Sequence, residues 1–345
     1  MPLTARLHGI GDLRVSDEEP PSDPPPPGWS RIAVTSVGIC GSDLHWFTEG
    51  STGDVAIERP VVPGHEFAAV ALDGPYAGRR VAVDPALPCE ECEQCRAGHG
   101  NLCPTVRFAG HGSFDGALQE QLVWPHRLLH PLPDELSNDA GALLEPLGVA
   151  IHAVGLSHVR LGDDVLVVGA GPVGLLAASV ARRSGARRVF VSDPLAHRRE
   201  TALRLGADEA WTPETVPAAL AETTAGRGVD VVVEMAGTDD AITTAVRSAR
   251  PGARIALGGI PSEARSSFPA AEARRKGLTF VMVRRMHDTY PRAIALATSG
   301  VDLDALVTAR FPLPDVAAAF TAAAERQGDK TVVEVSRGEP SSPGR

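Results

Sequence analysis

The chain has 345 residues, more than one compact core usually supports, so two domains are the natural expectation. Hydrophobic residues make up 43% and charged residues 22%, the balance of a globular protein and not of a disordered or membrane-embedded one. With 33 basic and 43 acidic residues the formal charge is -10, and no lysine or arginine block marks a footprint for nucleic acid. No apolar run is long enough to span a bilayer, and the first residues lack the layout of a signal peptide, so a cytoplasmic protein with no membrane partner is expected.

In chain order, residues 20–28 (Pro-Pro-Ser-Asp-Pro-Pro-Pro-Pro-Gly) read as a stiff surface loop, because proline offers no ladder donor. Short β-like runs at 32–37, 67–72, 80–83 and 117–123, separated by glycine- and proline-rich turns, predict a compact β-rich domain. After Pro146 the pattern changes. Strand-like 164–169, helix-like 173–184, strand-like 188–193 and helix-like 196–205 form a βαβα succession, which implies a parallel sheet. Further strands are expected at 229–235, 254–257 and 279–283, amphipathic helices at 291–299 and 313–325, and a last strand at 330–335. The tail from Ser336 is expected to fray. The fold class is therefore α/β, a β-rich domain joined to a doubly wound parallel-sheet domain.

Gly169-Ala-Gly171-Pro172-Val173-Gly174 matches G-x-G-x-x-G directly after a strand and before a helix. Its glycines permit a tight turn, a close approach to a pyrophosphate and close helix–strand packing, while the helix N-terminus offers free N–H groups to phosphate. Asp193 ends the next strand, where a carboxylate would bond adenosine ribose hydroxyls and repel a 2′-phosphate, so NAD is favoured over NADP. Arg198 and Arg199 keep NADP open, since a guanidinium pairs well with that phosphate.

Five cysteines are present, four of them crowded into Cys89-x2-Cys92-x2-Cys95-x7-Cys103. Four soft donors in so short a loop suit a closed, structural zinc site that substitutes for a core. Four buried cysteines or an iron–sulfur cluster are the competing readings. The fifth, Cys40, stands in Gly38-Ile-Cys40-Gly-Ser42-Asp-Leu-His45, and Gly64-His65-Glu66 follows. One cysteine, one histidine and one glutamate can hold a catalytic zinc with a position left open.

These motifs, with Glu145-Pro146-Leu147, occur in the order found in zinc-containing medium-chain dehydrogenases, and the chain resembles the sorbitol dehydrogenase and L-idonate 5-dehydrogenase branches of that family. The resemblance covers most of residues 38–200. It implies a GroES-like catalytic domain over 1–145 and 286–345, carrying the zinc lobe of about 88–104, and a Rossmann domain over 146–285, with the active site in the cleft between them. It implies a catalytic zinc on Cys40, His65 and Glu66 with Glu145 as direct or water-mediated ligand, a second zinc in the cysteine lobe, and a proton relay through Ser42 and His45. Trp46 and Met286 replace tyrosines of the sorbitol enzymes, and Arg285 matches a substrate-side arginine. Following a strand, Arg284 and Arg285 should point to opposite faces, so that one of them enters the site. The implied reaction is hydride transfer from a secondary alcohol of a small polyhydroxylated substrate to NAD, in a homo-dimer or homo-tetramer. The substrate is a sugar acid such as L-idonate or a polyol, with a cyclitol or other vicinal diol as the alternative. A zinc-binding interaction module would explain the cysteines but not the dinucleotide fingerprint. A zinc-free reductase would explain the fingerprint but neither metal motif.

Overall fold

A computed structural model describes residues 1–335 apart from 22–23, 53–54, 57–58 and 113. The tail from Ser336 and part of the proline segment lie outside the described residues. Two compact units are formed, one from Met1–Pro88, Thr105–Glu145 and Ile294–Arg345, the other from Cys89–Pro104 and Pro146–Ala293.

In the first unit a seven-stranded sheet runs in the order Leu129–Pro131, Arg80–Val83, Glu66–Ala71, Trp29–Gly38, Lys330–Glu334, Val307–Pro312, with Gln121–Pro125 also pairing with Trp29–Gly38. Its core gathers the β-branched and aromatic residues of those strands, among them Ile32, Val34, Phe67, Val81, Val83 and Trp124, with Phe320 from the helix Val316–Ala324 packed in the same cluster. The long central strand therefore brings residues from both ends of the chain to one place: Gly38 pairs with Glu66 on one side and with Val332 on the other. The strand expected at 117–123 begins only at Gln121, because the amides of Ala117 and Leu118 donate to the carbonyls of Gly64 and Pro63 at 2.9 and 3.0 Å. The helix expected at 313–325 opens with a 3-10 turn, Leu313–Asp315, before Val316–Ala324.

The second unit holds a six-stranded parallel sheet in the order Glu209–Trp211, Arg188–Ser192, Asp164–Val168, Val229–Glu234, Ala249–Leu257, Thr279–Met282. Counted along the chain this is 3-2-1-4-5-6, the doubly wound order, with the direction of winding reversing beside Asp164–Val168. Asp164–Val168 and Val229–Glu234 are buried throughout, as expected of strands covered on both faces. The cysteine segment Cys89–Pro104 groups with this unit: Asn101 Nδ2 donates to the Arg284 carbonyl at 3.0 Å, and the rings of His99 and His287 lie 5.6 Å apart. The expectation placed that segment with the β-rich domain and began the chain's return at 286, whereas the first unit resumes at Ile294. No helix among the described residues is long and apolar enough to cross a membrane.

Candidate metal centre and dinucleotide site

The first centre starts from the helix Gly41–Glu49, for which Cys40 is the N-cap. Asp43, in its first turn, folds back so that one carboxylate oxygen accepts the Cys40 amide at 3.0 Å. The other accepts the Gly64 amide at 3.3 Å and lies 3.4 Å from His65 Nδ1. One buried carboxylate thereby ties together the two loops that carry Cys40 and His65, and it leaves the far ring nitrogen of His65 directed elsewhere. That nitrogen is 3.5 Å from Ser42 Oγ. Donor atoms of Cys40, His65 and Glu66 all lie within 4.8 Å of one another, so these three side chains can converge on a single cation.

Charge is concentrated here. His65, Glu66, Asp43 and Lys330 are each 3% exposed or less. Lys330 Nζ forms an ion pair with Glu66 Oε2 and donates to the Ile39 carbonyl at 2.8 Å. Burial works against the His65 imidazolium, yet the charges of Asp43 and Cys40 hold its pKa well above the ordinary histidine value. Burial also pushes the Glu145 carboxyl up to about 8, against the pull of the His65 charge and with the push of Glu66. A sulfur, an imidazole and a carboxyl converging at one buried point, with one lysine nearby, form a donor set that fits a divalent cation such as zinc. Glu145 shares the electrostatics of this cluster but is outside the triplet whose donor atoms converge.

His45 sits one turn after Ser42 on the same helix, and its Nδ1 lies 2.9 Å from Glu49 Oε1. Trp46 is 1% exposed and packs edge-on to His111 at 5.2 Å between ring centres.

In the cysteine segment the four sulfurs also lie within 4.8 Å of one another. Cys89 and Cys95 sulfurs are 4.0 Å apart, far beyond a disulfide and close to the roughly 3.8 Å edge of a tetrahedron with 2.3 Å metal–sulfur bonds. Backbone amides donate to the sulfurs, Cys92 N to Cys89 and Cys95 N to Cys92, which favours thiolate character. Amides of Glu91 and Cys92 draw the Cys89 thiol down to about 6, while desolvation and the neighbouring Cys92 sulfur push Cys95 up to about 12. Four thiols so close cannot all ionise without a cation, and the set fits a closed zinc site.

The dinucleotide motif occupies the expected turn. Strand Asp164–Val168 leads into it and helix Pro172–Arg183, N-capped by Gly171, leaves it. A Cβ at Gly174 would collide with the Gly169 carbonyl, whereas one at Gly171 would meet only Arg198 Nη1, at 3.9 Å. The space above Gly171 is thus open for a phosphate, with Pro172 and Val173 opening the helix beneath it. Asp193, 3% exposed, accepts the amides of Ala170 at 2.8 Å and Leu195 at 2.9 Å, and Arg198 Nη1 is 3.9 Å from it. Arg199 donates to the carbonyls of Asp193 and Pro194 at 2.8 Å, a structural engagement.

Arg284 and Arg285 do not continue the alternation of the strand they follow. The strand ends at Met282, and Arg285 has left-handed backbone, φ 55°, as does Asp288 at 46°. Period-two alternation therefore does not apply to the pair. Arg284 is exposed, Arg285 half-buried and Met286 buried.

Two family models match the chain: an alcohol dehydrogenase GroES-like domain over residues 26–134 and a zinc-binding dehydrogenase domain over 172–299. A protein of Neosartorya fischeri named "Probable D-xylulose reductase A" is 36% identical over 345 residues, covering 96% of each chain. The chain belongs to the zinc-dependent medium-chain alcohol/polyol dehydrogenase family. Sorbitol dehydrogenase of Bos taurus is 35% identical over 344 residues, again with 96% of each chain covered. The crystal structure of L-idonate 5-dehydrogenase from Escherichia coli superposes with a TM-score of 0.86 at 24% identity, covering 97% of this chain and 98% of that one, a likeness of fold. This medium-chain dehydrogenase is accordingly a zinc-dependent, nicotinamide-linked enzyme acting on alcohols or polyols.

Sequence reasoning passed over Asp43 and Lys330. Asp43 lies inside the quoted Gly38–His45 run, and an acid three residues after an N-cap is a legible capping signal. Lys330 carries no local signal, since its partners Ile39 and Glu66 are hundreds of residues away in the chain.

Proposed function

We propose that this dehydrogenase oxidises a secondary hydroxyl of a small polyhydroxylated substrate, a sugar acid such as L-idonate or a polyol, with NAD as hydride acceptor. A cyclitol or other vicinal diol is the second reading within the same chemistry. The observation that carries the proposal is the convergence of Cys40, His65 and Glu66 within 4.8 Å, in a chain that also bears the open glycine turn and Asp193. These three side chains would hold the catalytic zinc, with Glu145 as direct or water-mediated ligand, and Cys89, Cys92, Cys95 and Cys103 a structural one, two zinc ions per chain. Zinc held at the first centre would supply Lewis acidity toward an alcohol oxygen, and bound NAD would serve as the hydride acceptor.

The chain's own residues do the rest. Asp43 fixes the tautomer and orientation of His65 by facing Nδ1. Ser42, buried beside His65, is placed to take the alcohol proton, and His45, one turn on and paired with Glu49, is the next stop toward solvent. A carboxyl at Glu145 beside Cys40, His65 and Glu66 makes the centre hydrophilic, which suits a substrate with several hydroxyls. Trp46 lines the substrate side, and Arg285 would grip a sugar-acid carboxylate through paired hydrogen bonds. Gly169, Gly171, Pro172, Val173 and Gly174 cradle the pyrophosphate, and Asp193 with Arg198 selects the adenosine ribose. The functional division remains a catalytic part over 1–145 and 286–345 and a cofactor part over 146–285, in a cytoplasmic homo-dimer or homo-tetramer.

A panel of hexonates, polyols, cyclitols and simple alcohols, assayed for NAD and NADP reduction, tests the proposal. Efficient oxidation of a hexonate or polyol with NAD is expected, and Asp193→Ala should narrow the preference for NAD. A wild-type preference for NADP, or activity confined to simple alcohols, contradicts it.

A further inference from the structure

The dinucleotide turn lies at the C-terminal edge of the parallel sheet, where Asp164–Val168 and Arg188–Ser192 run into Gly169 and Asp193. At the opposite edge, where the same strands begin, arginines gather. Asp164 accepts hydrogen bonds from Arg187 and Arg188, and Asp230 from Arg227 and Arg250. Beside this network a cavity of about 220 Å³ opens between the end of helix Leu144–Ser157, the turn that follows it, and the strands Val229–Glu234 and Ala249–Leu257. Its wall carries Arg160, Arg250, Arg254 and His158, together with two carboxylates, Asp163 and Asp230. All of these residues belong to the second compact unit.

The carboxylates of this wall are already engaged. Asp230 accepts from both terminal nitrogens of Arg227, from Arg250 Nε at 2.6 Å and from the Asp164 amide at 3.0 Å. Against burial, these bonds hold its carboxyl below the ordinary range. Asp163 caps the turn by accepting the Arg160 amide at 2.8 Å. Two cations are left over. Arg254, half-buried, is anchored by Nε to the Leu156 carbonyl at 2.7 Å, while its terminal nitrogens meet no acceptor among the described residues and are not sealed from solvent. The exposed Arg160 side chain likewise has no protein acceptor among them. His158 has left-handed backbone, φ 54°, a conformation histidine tolerates better than most residues, and it turns the chain out of the helix at the cavity wall. Guanidinium forks match the oxygens of phosphate, and the cavity is smaller than the roughly 300–1,000 Å³ of a pocket for larger ligands. We infer that this cavity is a second anion site of the protein, binding the phosphate group of a small ligand at the sheet edge opposite the dinucleotide turn. A phosphate there bridges the turn after helix Leu144–Ser157 to the strand carrying Arg254, so binding stabilises this unit. The inference does not depend on which alcohol the enzyme oxidises.

Calorimetric titration of the zinc-loaded enzyme with inorganic phosphate and with glycerol 3-phosphate tests it, at constant ionic strength and with saturating NADH to fill the dinucleotide turn. One saturable site per chain is expected, together with a rise in melting temperature as the ligand is added. Tighter binding of the ester assigns the site to a phosphorylated metabolite, and equal or tighter binding of inorganic phosphate assigns it to the free ion. Arg254→Ala should weaken binding about tenfold, as loss of charge-assisted hydrogen bonds implies. Arg160→Ala, at an exposed side chain, should weaken it about threefold and keeps the test decisive if the first variant folds poorly. Turnover at saturating substrate should be unchanged in Arg160→Ala. No saturable binding, a melting shift that sodium chloride of equal ionic strength reproduces, or an affinity unchanged in both variants would overturn the inference.

Discussion

The two side-chain clusters of this chain that could hold a cation are built on opposite plans. Cys40, His65 and Glu66 come from a helix N-cap and from a loop running into a central strand, and they are joined by the buried charges of Asp43 and Lys330. Cys89, Cys92, Cys95 and Cys103 come from 15 consecutive residues around a four-residue helix, Glu93–Arg96, with three of the four cysteines only half-buried. The first cluster is mixed in chemistry and pre-positioned by the fold. The second is uniform, and its sulfurs accept hydrogen bonds from amides of its own segment. A site whose ligands are fixed by a core can leave a coordination position for substrate, whereas a loop without a core needs every position filled by protein to close.

Substitution at each cluster should separate the two plans most sharply. Cys40→Ser is expected to lower turnover at least roughly thousandfold, as loss of a Lewis acid worth several kcal/mol implies, while the melting temperature stays within a few degrees. Cys92→Ser should reverse the pattern, lowering the melting temperature and increasing aggregation, with the remaining folded enzyme still turning over. If Cys40→Ser retained near-wild-type turnover, or Cys92→Ser left stability untouched, the contrast would collapse.

Lys330 sharpens the comparison from inside the first cluster. Removing one partner of a buried ion pair costs about 3–5 kcal/mol because the other charge is stranded. Lys330→Met should show that cost in chelator-treated protein by denaturant unfolding, and clearly less once zinc is restored, because a metal-bound Glu66 has another counter-charge. Equal costs in both states would mean that Glu66 is not a ligand.

A smaller effect is expected from pH at the second cluster. Cys95, pushed up to about 12, is protonated at neutral pH, while Cys89, drawn down to about 6, is largely ionised. Zinc must displace the Cys95 proton, so uptake by the lobe should release protons, and affinity should rise with pH across the neutral range. Zinc titration of the chelated protein in weakly buffered indicator solution reads this directly. Affinity independent of pH would argue against thiolate ligation.

How much of this was legible beforehand follows from where the information lies in the chain. The dinucleotide turn and the four cysteines are local patterns, and their spacing alone carries the geometry. The sheet strands of the second unit are apolar runs bounded by glycine, which read correctly to within a residue or two at Asp164–Val168 and Arg188–Ser192. Helix Leu144–Ser157 went unread because it is apolar on nearly every face and shows no amphipathic period. Hairpin Leu3–Gly9 with Asp12–Asp17 was missed although its turn is only two residues long. Lys330 and Arg254 depend on contacts between distant segments, which no window along the sequence contains.

On the proposed reading, one chain holds two zinc ions on these two sets of side chains. Metal analysis of purified wild-type, Cys40→Ser and Cys103→Ser protein tests it most directly. Two zinc ions per chain are expected in the wild type and one in each variant, with turnover lost in the first variant and stability in the second. Iron in place of zinc in the lobe, or an unchanged zinc content in either variant, would contradict it.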